Sequence, residues 1–184
     1  FDDKSFNQLG YEGLQKAAGE LGVDFKAVES SSESDYAPNL QSLVDDGCKL
    51  IITVGFALAA AAGESAAANP EIEYVSIDDM VDNDFDGKTD QPNIKPIIFD
   101  TAQAAFMAGY ASASYSTAKK VGTFGGMNFP TVSIFMDGFK QGVEYWNKEK
   151  SDNVQVIGWD GTDGVFTGGF EANQDAINAA QGIV

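Results

Sequence analysis

The chain has 184 residues, enough for one large domain or two small lobes. Its 11 basic and 28 acidic residues leave a net charge of −17, which argues against nucleic acid, because phosphate binding needs Lys and Arg to displace counterions, and equally against an anionic membrane surface. The absence of histidine removes His-based triads and His-ligated zinc, and the single cysteine, Cys48, rules out an internal disulfide.

The first segment, Phe1-Asp2-Asp3-Lys4-Ser5-Phe6-Asn7-Gln8, is a loop entering a helical pattern with no strand before it. Aromatic, carboxylate and amide side chains crowd this one turn, which can stack a flat ligand and hydrogen-bond its polar edge. Phe1 is not an initiator Met, so the first strand of the unit is expected to be absent. Residues 8–21 carry Leu9, Leu14, Ala17, Ala18 and Leu21 at helical spacing. A short strand is expected at 24–28, a polar loop at 30–34, and a helix at 36–46 with Pro38 near its start and Gly47 after its end. Cys48 stands at the entry to an apolar run and reads as a small buried thiol. Leu50-Ile51-Ile52-Thr53-Val54-Gly55 reads as a buried strand, 57–68 as an Ala-rich helix, 73–77 and 95–99 as further strands. Residues 99–116 form a long helix with small residues suited to close packing.

The cycle then restarts. Residues 120–126 run from a strand into a Gly turn, and Pro130 opens a helix to about 147 with Val132, Phe135, Met136, Phe139 and Val143 as its inner face. A strand follows at 154–159 and a helix at 173–181. No stretch of about 18 apolar residues occurs that could span a membrane. Short buried strands separated by helices imply an α/β fold with parallel sheets and helices on both faces. The lobe boundary is set near 93–96, giving lobes 1–94 and 95–184, both expected to be incomplete.

Ligands of open α/β sheets bind outside the carboxyl ends of the strands. Three turns belong there: 2–7, 55–59 and 125–130. Phe6 from the first and Phe135, just beyond the third, could clamp a planar ring; the alternative makes both core residues. Phe129 lies on the loop and is the weaker choice for stacking. Asp3 and Asn7 could read ligand hydroxyls or ring nitrogens, or serve the helix end, with Ser5 or Asn7 as N-cap. Gly122-x-x-Gly125-Gly126 lacks the spacing of a dinucleotide loop, so its glycines are expected to admit a ligand to the backbone or to turn tightly. The segment 82–90 places carboxylates and Gly87 like a calcium loop, but Asn93 stands where a bidentate Glu is needed, and a solvated acidic loop is favoured. No serine has an evident base beside it, so no catalysis and no cofactor is expected.

Asp2 to Gln8 followed by Tyr11-Glu12-Gly13-Leu14 resembles the opening of the basic membrane protein family, nucleoside-binding lipoproteins of bacterial ABC importers. Val54-Gly55-Phe56, the run from Phe99 to Tyr110, and the run from Val121 to Pro130 with Phe135-Met136-Asp137-Gly138-Phe139 agree in the same order. The resemblance implies a type I periplasmic-binding-protein fold, two lobes closing on a nucleoside, often a purine, whose base lies between two aromatics while carboxylates and a lysine hold the ribose. Carried over by position, Asp3, Phe6 and Asn7 fall in the first-lobe binding turn, Gly55 and Phe56 in the turn after the buried strand, and Phe135 on the second-lobe helix. Ala60 stands where many members carry an acidic residue that reads the base edge. The implied protein is a non-enzymatic, monomeric, extracytoplasmic lipoprotein whose anchor lies outside this chain and whose partner is an ABC permease. A sensor domain of the same fold feeding a receptor or regulator is the rival.

Overall fold

A computed structural model describes residues 1–84, 86–170 and 174–183. Contacts divide the chain into two compact units, Phe1–Phe99 and Asp100–Val184.

The first unit begins with helix α1 (Phe6–Leu21). Gly22 ends it in the left-handed conformation (φ 67°), which lets the amides of Gly22 and Val23 return to the Ala18 carbonyl. Of the apolar stripe, only Ala18 is buried, while Leu9 and Leu21 are exposed. No strand forms at 24–28, contrary to expectation: Phe25 and Val28 have strand propensity, but among the described residues nothing pairs with this backbone. Side chains hold the segment instead. Lys26 pairs with Asp46 and reaches Ser42 Oγ at 3.2 Å, and Phe25 meets Tyr11 edge to face. The polar loop tightens into a 3-10 turn (Glu33–Asp35), where the Asp35 carboxylate accepts from the amides of Ser31 and Ser32 and enters α2 (Tyr36–Asp45).

Strands β1 (Leu50–Val54), β2 (Glu73–Ile77) and β3 (Ile94–Ile97) form a parallel sheet in the order β1-β2-β3, with α3 (Ala59–Ala68) crossing from β1 to β2. Burial alternates along β1. Ile51 packs with Tyr74, Ile94, Leu40, Ala66, Ile72 and Val81 in one core, each large side chain contributing about 1.5–3 kcal/mol. Leu50 and Ile52 face the other way and are exposed, so β1 is buried on one face rather than throughout. Cys48 is half-buried against this core, less enclosed than its composition suggests. Asn93 is buried and donates to the carbonyls of Ala66, Asn69 and Ile72, fastening the end of α3 to the start of β2. The boundary between units falls at residue 99 because β3 pairs with β2.

In the second unit Asp100 caps α4 (Thr101–Tyr115), its carboxylate accepting from the Gln103 amide at 3.3 Å. Pro130 occupies the first turn of α5 (Pro130–Lys150), where its missing N–H costs nothing. The two helices approach through glycines. A Cβ added to Gly109 would sit 1.9 Å from the Phe139 carbonyl oxygen, and one on Gly142 2.0 Å from that of Phe106. β4 (Lys120–Gly122) and β5 (Gln155–Ile157) pair in parallel, and Ala113, Val143 and Val154 form the core beneath them with Phe139 and Trp146. Trp159 donates to Asp137 at 2.8 Å. The last helix, α6 (Gln174–Ile183), sets Ile183 against Gly122. Asn173, its expected first residue, lies outside the described residues. No helix among the described residues is long and apolar enough to cross a membrane.

Candidate functional site

Parallel register brings one set of strand ends together in the first unit. Val54 pairs with Ile77 and Ile77 with Ile97, so Gly55, Asp78 and Ile98-Phe99 all leave the sheet at its carboxyl edge. The Gly55 amide donates to Ile77 O at 2.8 Å, and the Asp78 amide to Ile97 O at 2.9 Å, which pins these turns to the strands. Gly55 has φ 90°, a conformation that favours glycine, and a Cβ there would enter open space. Phe56 follows, half-buried, in a 3-10 turn, and Ala60 is exposed on α3.

Phe6, the first residue of α1, is 41% exposed and meets Phe99 edge to face, with ring centroids 5.4 Å apart and planes at 69°. The contact brings Phe6 to the edge where β3 ends. Phe6 is therefore not a core residue. Phe99 was not singled out from the sequence, although it follows a strand end by the same rule that selected Gly55.

The turn before Phe6 is organised by Asp3. Lys4 adopts φ 53°, turning the chain so that the Asp3 carboxylate covers the start of α1. It accepts from the backbone amides of Gln8 (2.9 Å), Ser5 (3.0 Å) and Asn7 (3.1 Å), and from Asn7 Nδ2 (2.8 Å). These bonds, the Gln8 amide foremost, hold its carboxyl well below the usual carboxylate range. Ser5 occupies the N-cap position without a side-chain capping bond, so Asp3, rather than Ser5 or Asn7, does the capping.

Two further carboxylates stand at the same edge. Asp78 has φ 67°, and burial pushes its carboxyl up. Burial raises Asp79 as well; the Val81 amide, donating to its Oδ1 at 2.7 Å, opposes the rise, and the charges of Asp78 and Asp82 add to it. Beyond them, carboxylate oxygens of Asp82, Asp84 and Asp86 lie within 4.8 Å of one another. Several close the loop's own turns by accepting from the amides of Asp86, Gly87 and Lys88. Asn93, at the position a calcium loop gives to Glu, is spent on the carbonyls described above.

In the second unit Phe135 is 52% exposed on α5. It does not belong to the inner face with Met136 and Val143, which are buried. The glycine turn serves the chain itself. A Cβ on Gly125 would lie 2.7 Å from Val132 Cγ1, and one on Gly126 2.5 Å from Gly169 O, while Gly125 bridges to Phe166. These glycines admit their own backbone and side-chain neighbours, as a tight turn requires.

The family model described as "Bmp: ABC transporter substrate-binding protein PnrA-like" matches residues 1–161. Basic membrane protein A of Borreliella burgdorferi is 34% identical over 158 residues, 86% of this chain and 45% of that protein. The "ABC transporter nucleoside-binding protein BmpA" of Lactococcus lactis is 30% identical over 161 residues, 85% of this chain and 44% of that protein. Among solved structures, an ABC transporter solute-binding protein from Aeropyrum pernix superposes with a TM-score of 0.75 at 26% identity, covering 100% of this chain and 50% of its own. The chain thus spans about half the length of the relatives it matches.

Proposed function

This chain belongs to the PnrA-like family of ABC transporter substrate-binding proteins, and from that premise we propose that the protein it forms part of binds a nucleoside for an ABC importer. The observation that carries the reading is Phe6, a half-exposed aromatic at the carboxyl edge of the first sheet. An open aromatic face can stack a base, an interaction worth about 1–3 kcal/mol. The similarity to the nucleoside-binding protein BmpA of Lactococcus lactis supports the nucleoside class.

In this reading Phe6 supplies one face of the clamp and Phe135 the other, while Asn7 and the turn at Gly55 and Phe56 border the ligand. Asp3 acts by fixing the turn that carries Phe6 and Asn7. Purines are favoured because their larger ring gains more from stacking. Ala60, a methyl group, offers the base edge no hydrogen bond, so discrimination between bases rests on the stack and on other polar groups. Nothing is made or broken: two lobes, to which the units Phe1–Phe99 and Asp100–Val184 contribute, close on the solute, and affinity follows the population of the closed form. The partner is an ABC permease, and the protein works outside the cytoplasm on a lipid anchor.

Calorimetric titration of the intact protein with adenosine, uridine and free ribose tests this. Saturable binding of adenosine, weaker binding of uridine and none of ribose is expected. Binding of ribose alone would replace the nucleoside reading with a sugar.

A further inference from the structure

We propose that Phe99 is a positioning residue of this binding site, holding the ring of Phe6 at the angle needed to receive a base. The inference rests on the nucleoside reading and adds to it a residue that neither the sequence motifs nor the names of the relatives assign.

The two rings reach the site from backbones fixed in different ways. Phe6 opens α1, and that helix end is held by the hydrogen bonds of a single carboxylate, Asp3. Phe99 lies two residues beyond β3, whose last residue, Ile97, pairs with Ile77 and accepts the Asp78 amide. Both rings thus leave the ends of bonded elements, and Phe99 reaches Phe6 from a stretch of chain remote from the α1 turn. The rings meet at 5.4 Å and 69°, the edge-to-face arrangement in which the positive rim of one ring faces the negative face of the other. Both stay near half exposure, Phe99 at 46%, so neither ring is placed by being buried in a core. The contact between them is what narrows the orientations of Phe6. A base arriving at Phe6 then meets a ring already held, and less rotamer freedom is lost on binding. Phe99 acts through Phe6, so its effect vanishes when Phe6 has no ring.

The experiment is a double-mutant cycle on the intact protein, with adenosine as the probe and calorimetry as the readout. Phe99→Leu keeps apolar bulk but removes the ring. It is expected to weaken adenosine binding by about threefold to tenfold, while Phe99→Tyr, which keeps the edge-to-face contact, stays close to wild type. In a Phe6→Leu background the further change Phe99→Leu costs nothing more. Phe99→Met replaces Phe99→Leu if the latter does not fold, as judged by circular dichroism. If Phe6→Leu weakens binding but Phe99→Leu does not, or if the two losses add fully, the positioning role is overturned and the nucleoside reading stands. If the wild-type protein binds no adenosine, the nucleoside reading falls and this proposal with it.

Discussion

Asn7 donates its side-chain amide to Asp3 Oδ2 at 2.8 Å. Two residues that the sequence offers to a ligand are thus each other's partners. Their pairing, with the three backbone amides that Asp3 also receives, builds the turn on which Phe6 stands. The residue proposed to stack the base and the residue that shapes its turn are neighbours in sequence but do different work.

Asp3→Ala is expected to lower the melting temperature by a few degrees at pH 7, because α1 loses its cap. The Asp3 carboxyl is depressed in the folded state, so its contribution is present above the ordinary carboxylate range and fades as pH falls. The gap between wild type and variant should narrow below about pH 4. Melts followed by circular dichroism across that range check this.

Gly142→Ala should be among the most damaging single changes in the second unit. Its Cβ would lie 2.0 Å from Phe106 O, a backbone atom that can move only with α4. Separating the helices to make room costs about 3 kcal/mol or more, read by urea denaturation.

Asn93→Leu tests the fastening of α3 to β2. The substitution fills the space but removes the Asn93 donor from the carbonyls of Ala66, Asn69 and Ile72, leaving Ala66 O only the Asn69 amide. A loss of about 2–3 kcal/mol in denaturant stability is expected.

Asp79→Asn should behave in the opposite sense. Burial raises this carboxyl in the folded protein, so its ionisation opposes folding as pH climbs through the raised value. Asparagine can still accept from the Val81 amide. The variant should melt at or above the wild-type temperature at pH 7, and the difference should close as pH falls below the ordinary carboxylate range, where the side chain is protonated in the folded and unfolded chain alike. A variant less stable at pH 7 would show that the charged form is favoured here.

The fold was legible where local pattern and tertiary packing agree. The Pro130 start and Val143 periodicity of α5, the β-branched run of β1, and the small residues of α4 each specify their element directly. Residues 24–28 show the limit: strand propensity is present, but a ladder needs a neighbouring backbone that no local pattern reveals. Phe135 shows another. Its spacing fits the inner face of α5, yet it is exposed, because the buried face is narrower than the apolar stripe and centres on Met136 and Val143. Gly125 and Gly126 read either as a ligand turn or as a tight turn, and the neighbours that bear on the choice, Phe166 and Gly169, lie some forty residues away and are brought close only by the tertiary fold. Phe99 reads as part of a motif but not as a site residue for the same reason, since its relation to Phe6 exists only once β3 has joined the sheet.

The most direct test is the affinity of the intact protein for adenosine with and without the Phe6 ring. Phe6→Ala should raise the calorimetric Kd about tenfold, the lower half of the range for base stacking, with the fold retained. An unchanged Kd in a folded Phe6→Ala protein would contradict the account, because the base would then be held without this ring.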